Sequence, residues 1–360
     1  MRARHGGNIY GIAKEYGISQ NEIIDFSANI NPLGIPNKLK AAIASNIEML
    51  GNYPDPDYKD LVTAIAGYNN INEDFVIPGN GATEIIFKIV EAVKPKKSLL
   101  LAPTFLEYER ALKRVESEVH YYSLNENNEF NIDKNELLQK LDYDIDFLVL
   151  CNPNNPTGQI IGRDILKEIL IKCKSRSINL MLDEAFIEFV DDEENSSLID
   201  LLNDFDNLFI IRALTKFFAI PGLRIGYGLI SNKGIKERII SRKEPWTING
   251  FAAICGEVLL GDKEYISRSK EYFVSQRKRM HGKLKELEGI RVFEPRANYI
   301  FFRLLDENIA LKDRLITRKI LIRQCDNYIN LGKAFYRVAI KDEKSNDKLI
   351  EALREVLYED

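Results

Sequence analysis

The sequence predicts an α/β protein whose mostly parallel sheet carries helices on both faces, joined to a smaller α+β part. Three observations predict it. Short apolar runs alternate with helical patterns through the middle of the chain, which is the signature of βαβ units. The chemically distinctive residues follow the ends of those runs, where open α/β sheets bind their ligands. Beyond about residue 240 the pattern changes to long charged helical stretches and isolated strands.

Taken in order, Ile85, Ile86, Ile89, Val90 and Val93 recur at helical spacing within 81–93. Ser98 to Ala102 is an apolar run stopped by Pro103, and Asp146 to Cys151 is another, stopped by Asn152-Pro153. Proline ends such strands because it has no amide hydrogen for the ladder. Residues 163–173 read as a helix. Apolar runs return at 178–182, ending in Asp183, then at 208–211 and 225–230. In the last third, 267–287 reads as a charged helix and 299–304 and 335–340 as strands. Residues 345–358 form a helix with Leu349, Ile350, Leu353, Val356 and Leu357 on one face. This organisation predicts a large unit over 46–240 and a small unit combining 1–45 with 241–360.

Composition narrows the function. The chain has 360 residues, 45% hydrophobic and 29% charged, enough apolar material for a sizeable core. A net charge of -4 argues against nucleic-acid binding, which needs a basic excess to neutralise phosphates. Cys151, Cys173, Cys255 and Cys325 have no paired spacing, and only three histidines occur, so no metal site is expected. No run approaches the roughly 18 apolar residues that cross a bilayer, and residues 1–10 lack the apolar centre of a signal peptide. The cytoplasm is the expected location and no membrane partner is expected. The acidic run Asp191 to Glu194 reads as a solvated loop. Composition alone leaves an enzyme and a binding protein equally open.

The chemistry lies in an ordered set of motifs. Gly79-Asn80-Gly81-Ala82-Thr83-Glu84 opens a helix, Pro103-Thr104-Phe105 follows a strand, and Asn152 to Gly158 follows another. Asp183 ends a third, and Thr215-Lys216 leads through Pro221-Gly222 to Arg224. Singly, each has a bland explanation. Lys216 is then a solvated charge, Asp183 a cap or salt-bridge partner, Asn152 to Gly158 a turn, Gly79 to Thr83 a weak helix start and Phe105 a core residue. Together and in this order, over nearly the whole chain, they resemble the fold type I pyridoxal-phosphate enzymes of the aminotransferase superfamily.

That resemblance implies pyridoxal 5'-phosphate as cofactor and a role for each residue. Lys216 supplies the amine for a Schiff base. Asp183 keeps the pyridine nitrogen protonated, which makes the ring an electron sink. Backbone amides of Gly81, Ala82 and Thr83, the hydroxyls of Thr83 and Thr215, and Arg224 take the phosphate. Asn155 donates to the ring oxygen and Phe105 stacks on the ring. Two positions depart from the wider pattern. Ala213 stands where a phosphate-binding serine or threonine is common, and Phe186 where a tyrosine often donates to the ring oxygen. The segment Tyr53-Pro54-Asp55-Pro56 is similar to one that reaches the neighbouring subunit, implying a homodimer in which Tyr53 serves the partner's cofactor; local packing is the alternative.

The N-terminus points to a branch. His5-Gly6-Gly7-Asn8-Ile9-Tyr10, followed by Asp25 to Gly34, is similar to the L-threonine-O-3-phosphate decarboxylases of cobalamin biosynthesis. The histidinol-phosphate aminotransferases share the Asn-Pro-Leu/Tyr-Gly ending but lack the His-Gly-Gly-Asn start. Residues 244–249, 322–325 and 335–338 also fit the decarboxylase branch better. The resemblance implies a small phosphorylated amino acid as substrate. Arg337 would hold its carboxylate by a bidentate fork and Arg323 its phosphate. His5 and the amides of Gly6 and Gly7 would close over that phosphate, with Asn29 near the carboxylate and Asn155 beside both ligands. Surface salt bridges are the alternative for the two arginines. The expected reaction is loss of carbon dioxide from L-threonine O-3-phosphate, giving (R)-1-aminopropan-2-ol O-phosphate. Transamination of histidinol phosphate with 2-oxoglutarate stands as the alternative.

Overall fold

The computed structural model describes residues 6–193 and 196–358. Strand β1 (Ile24–Asp25) stands apart from the main sheet. That sheet contains β2 (Val76–Gly79), β3 (Lys97–Ala102), β4 (Glu118–Ser123), β5 (Phe147–Cys151), β6 (Asn179–Asp183), β7 (Leu208–Ala213) and β8 (Gly226–Ile230). Its order is β2-β8-β7-β6-β5-β3-β4. Neighbours from β7 through β4 run parallel, while β8 is antiparallel to both β7 and β2.

The near-continuous apolar runs follow from burial on both faces. Alternate residues of each strand point to opposite sides. Phe147, Val149 and Cys151 of β5, with Met181 of β6 and Phe209 and Ile211 of β7, pack beneath helix Ala82–Val93 and helix Glu107–Arg114. Leu148, Leu150, Leu180, Leu182 and Ile210 face the other way, towards helix Arg163–Ser175 with its buried Leu166, Ile169 and Leu170. The same alternation places Asp183 and Ala213 on the face of Tyr108, and Glu184 and Arg212 on the reverse.

The second sheet is antiparallel. It contains β9 (Ile290–Val292), β10 (Tyr299–Leu304), β12 (Arg323–Gln324) and β13 (Phe335–Ala339) in the order β12-β13-β10-β9, while β11 (Ile320–Leu321) pairs in parallel with β1. Arg323 and Arg337 are direct cross-strand partners. Helix Lys263–Lys285 has 23 residues, about 35 Å of rise. Its charged sequence hides a buried stripe of Tyr265, Ser269, Phe273, Arg277, Met280 and Leu284 at helical spacing. Among the described residues, no helix is long and apolar enough to cross a membrane.

The acidic run departs from its sequence reading. It does form a turn, but Asp191 is paired with the buried Arg277. Glu193 is half-buried between Arg212, at 2.9 Å, and Lys270, at 3.2 Å. Glu194 lies outside the described residues. Cations from distant parts of the chain converge on the run, which local charge patterning cannot reveal.

Close backbone approach fixes one glycine. A Cβ at Gly226 would lie 2.4 Å from Ala82 N and 2.9 Å from Arg212 O, main-chain atoms that cannot swing aside. Gly226→Ala is expected to destabilise the protein by about 1–3 kcal/mol. Urea denaturation followed by circular dichroism measures this, and an unchanged midpoint contradicts the close approach.

Candidate active site

Five strand ends of like direction, with β5 delivering Asn155, and the start of one antiparallel strand meet at a single edge of the main sheet. β2 leads into Gly79-Asn80-Gly81 and the helix at Ala82. β3 leads into Pro103-Thr104-Phe105, β6 ends in Asp183, and β7 leads into the short helix Leu214–Phe217 that carries Lys216. Because β8 runs the opposite way, the segment before it also arrives at this edge and delivers Arg224. A cavity of about 120 Å³ forms here, lined by Thr83, Phe105, Asn155, Asp183, Lys216 and Arg224 among others.

Asp183 is buried and both its oxygens are engaged. Tyr108 Oη–H donates to Oδ2 at 2.6 Å, and Ala185 N–H donates to Oδ1 at 2.9 Å. Burial pushes the carboxyl upward, opposed by those two donors and by Lys216. Tyr108 is itself held protonated by burial and by the adjacent Asp183. Lys216 opens onto the same cavity. Burial, reinforced by Arg224 and Arg337, lowers its ammonium to about 8, against the attraction of Asp183. Its short helix is pinned by Asn31. That residue's N–H donates to Lys216 O at 3.1 Å, and its Nδ2 donates to Phe217 O at 2.8 Å.

A second cavity of about 650 Å³ adjoins the first, sharing Thr83, Phe105, Asn155, Phe186 and Lys216 with it. It is also lined by Gly6, Gly7, Asn29, Arg323 and Arg337. Arg337 is buried with its guanidinium 5.3 Å above the Tyr299 ring. Its Nη1 donates to Asn155 Oδ1 and its Nη2 to Ser27 O, the latter at 2.8 Å. Arg323 is buried, lies 5.4 Å above the Tyr328 ring, and donates from Nη2 to Asn327 Oδ1 at 2.6 Å. Two cations directly opposite across a ladder disfavour one another, an arrangement that an anionic ligand relieves. Asn29 is buried, and its Oδ1 has no hydrogen-bond partner.

The structure therefore gathers Ala82, Thr83, Phe105, Asn155, Asp183, Thr215, Lys216 and Arg224 around the inner cavity, and Gly6, Gly7, Asn29, Arg323 and Arg337 around the outer one. Gly81 borders the site differently from expectation. Its amide is taken by Gly79 O at 2.8 Å, which leaves the Ala82 and Thr83 amides of the first helical turn to face an anion. The Gly7 amide is likewise engaged, with Ser27 Oγ at 2.8 Å. His5 lies outside the described residues. Tyr53 lines neither cavity; it is 80% exposed and lies tilted against Trp246 with ring centroids 4.6 Å apart. Ala213 and Phe186 line the inner cavity.

Several residues at the site carry no motif. Tyr108 is one turn beyond Phe105 and edge-on to it at 5.5 Å. That i, i+3 spacing at a helix start was the available signal. Tyr328 Oη donates to Asn155 Oδ1 at 3.3 Å, and Cys151 lines the inner cavity floor.

These residues fit a pyridoxal phosphate. A Cβ at Gly81, where φ is +82°, would sit 2.4 Å from Arg224 Nη2. A side chain there would fill the cradle between guanidinium and helix start. An amine, a carboxylate, an aromatic face and helix-start amides share one small cavity, matching an aldehyde, a pyridine nitrogen, a planar ring and a phosphate in turn.

Comparison with known proteins agrees with this geometry. The sequence model of the family described as aminotransferase class I and II matches residues 21–353. A threonine-phosphate decarboxylase of Salmonella typhimurium is 41% identical over 357 residues, covering 99% of this chain and 97% of that protein. An adenosylcobalamin biosynthesis bifunctional protein of Leptospira interrogans is 34% identical over 360 residues, covering 98% of this chain and 41% of that protein. Among solved structures, one described as histidinol-phosphate aminotransferase from Clostridium acetobutylicum aligns with a TM-score of 0.86 at 40% identity, covering 92% of this chain and 98% of that one.

The lowered Lys216 sets a stability test. The unfolded chain keeps the lysine proton up to its ordinary 10.5, whereas the folded chain releases it near 8. At this position the unfolded state thus binds more protons between these values, so the penalty Lys216 places on the cofactor-free protein is expected to shrink as pH rises across that window. It is read as the stability difference between Lys216→Met and the parent, because the buried cysteine thiols, pushed up by burial, oppose the trend in the parent alone. Lys216→Met removes the buried ammonium and is expected to stabilise that form at pH 7 by about 3 kcal/mol, measured by urea denaturation. A variant no more stable than its parent contradicts the desolvation.

Proposed function

Because the chain belongs to the aminotransferase class I and II family, we propose that it is a pyridoxal-phosphate-dependent decarboxylase. Its substrate is L-threonine O-3-phosphate, its product (R)-1-aminopropan-2-ol O-phosphate, and its place the biosynthesis of cobalamin. The observation that carries this reading is that Gly6 and Gly7, from the N-terminal motif that marks the decarboxylase branch, line one cavity with Lys216, Arg323 and Arg337. The full-length likeness to the Salmonella decarboxylase supports it.

Pyridoxal phosphate, when bound, supplies a sink for the electron pair left on the substrate carbon as carbon dioxide departs. Asp183 would hold the pyridine nitrogen protonated, its own carboxylate steadied by Tyr108. Ala82, Thr83, Thr215 and Arg224 would hold the cofactor phosphate, Phe105 would cover the ring, and Asn155 would donate to the ring oxygen. Reaction choice is then a matter of orientation. Arg337, braced by Asn155 and Ser27, would grip the substrate carboxylate and fix its orientation. Arg323, with Gly6 and Gly7, would anchor the ester phosphate, a role His5 of the same motif would share, and Asn29 would complete the carboxylate end. Lys216 Nζ, lowered to about 8, would supply the amine that holds the cofactor, its neutral form being available near neutral pH. Its conjugate ammonium can return a proton to the decarboxylated carbon.

In this reading residues 46–240 form the cofactor unit, and 1–45 with 241–360 the substrate unit. The protein works in the cytoplasm as a homodimer. The exposed Tyr53 and Trp246 pair would meet the partner, with Tyr53 reaching the neighbouring cofactor phosphate. A second reading, histidinol-phosphate aminotransferase, is favoured by the description of the Clostridium structure.

Purified protein supplied with cofactor and L-threonine O-3-phosphate is expected to release carbon dioxide without any keto acid. Arg337→Ala should raise KM about tenfold or more, as loss of a charge-assisted carboxylate contact does. Absence of carbon dioxide release, with amino transfer from histidinol phosphate to 2-oxoglutarate, overturns the decarboxylase in favour of the second reading. Sedimentation at micromolar concentration tests the dimer.

A further inference from the structure

Ser27 lies within the Asp25 to Gly34 motif, which by itself gives it no role. β1 pairs with β11 through Ile24 and Asp25. Phe26 is then tied to both flanking strands: its amide donates to Leu321 O and its carbonyl accepts from Ala339 N, each at 2.8 Å. Residue 27 is thereby pinned between the strand leading to Arg323 and the strand carrying Arg337. The Ser27 side chain is buried. Its N–H and Oγ–H both donate to Asp25 Oδ1, at 2.8 and 2.6 Å. With its proton committed, Oγ has only lone pairs to offer, and Gly7 N–H donates to it at 2.8 Å. Gly6 packs so closely that a Cβ there would lie 2.1 Å from Ser27 O. That same carbonyl accepts from Arg337 Nη2 at 2.8 Å.

We propose that Ser27 is a positioning residue for the substrate. Its hydroxyl, oriented by Asp25, holds the Gly6-Gly7 turn at one wall of the outer cavity, and its carbonyl holds Arg337 at another. A single buried residue therefore sets the separation between the group that takes the substrate carboxylate and the segment that closes over the phosphate. It selects substrates whose two anionic ends match that span. The inference rests on the decarboxylase reading and adds to it a residue of the outer cavity wall that acts through Gly7 and Arg337.

Ser27→Ala removes the hydroxyl and leaves the carbonyl. In the holoenzyme, KM for L-threonine O-3-phosphate is expected to rise about tenfold, with kcat changed by less than about threefold and the cofactor absorbance spectrum unchanged. The Gly7 amide hydrogen, read by mass spectrometry on a peptide that spans it, is expected to exchange about tenfold faster. Asp25→Ala should act in the same direction, while Asp25→Asn, which keeps an acceptor oxygen, should restore most of the loss. Unchanged exchange in Ser27→Ala overturns the proposal, because Gly7 is then held by something else. Faster exchange with unchanged KM also overturns it, leaving a bond of structural value only, and so does a loss of the cofactor spectrum. If the parent protein releases no carbon dioxide, the decarboxylase reading fails separately. The junction is then judged by whether L-threonine O-3-phosphate protects that peptide from exchange. Protection in the parent but not in Ser27→Ala supports it, and equal protection or none in both overturns it.

Discussion

An amine and a carboxylate held out of water in one small cavity are the constraint on which this structure turns. Neither Lys216 nor Asp183 would choose that environment, since desolvation disfavours the charged form of each. They remain because the strands beneath them cannot relax. On the reverse face of those strands, Arg212 of β7 pairs with Glu184, the residue after Asp183, at 2.8 Å, and both are deeply buried. A buried pair of this kind is weak evidence of net stability. Its geometric effect is clear: it ties the strand end bearing Asp183 to the strand leading to Lys216, directly behind the site.

Direction matters as much as burial. One reversed strand in an otherwise parallel sheet lets Arg224 approach the edge that the other strands leave. Arg224 adopts a left-handed backbone, φ 56°, unusual for a residue with a side chain, and its guanidinium closes over Gly81. The N-terminal segment supplies the remaining bracing. Asn31 holds the helix of Lys216 from one side, and Phe26 before it ties β11, which leads to Arg323, to β13, which carries Arg337.

What could be read in the sequence follows a physical line. The main sheet was legible because strands buried on both faces become apolar runs, and Asp183 and Lys216 were legible because they interrupt or follow such runs. Arg337 could be located on a strand, but the two-residue strand of Arg323 is too short to show a pattern, and the pairing of the two depends on register. Tyr108 was hidden because a buried tyrosine on a helix looks like core until its hydroxyl partner is known. The Gly81 amide and the acidic run were misjudged for the same reason: their partners, Gly79 O for one and Arg277, Arg212 and Lys270 for the other, are matters of conformation and tertiary contact. The role of Ser27 was invisible among short polar residues whose individual hydrogen bonds no pattern encodes.

The two arginines stand on a different sheet from the amine and carboxylate. The apparatus that handles electrons and the apparatus that grips the ligand therefore stand on separate strands and meet at side chains, Arg337 reaching Asn155. A change in the β12–β13 ladder alters which molecule is seized without disturbing β6 or β7, and the converse holds. This partition makes it physically reasonable for one architecture to be inherited by enzymes of different reaction and substrate. Their divergence need only be written in short strands at the periphery, while the interior sheet passes down nearly intact.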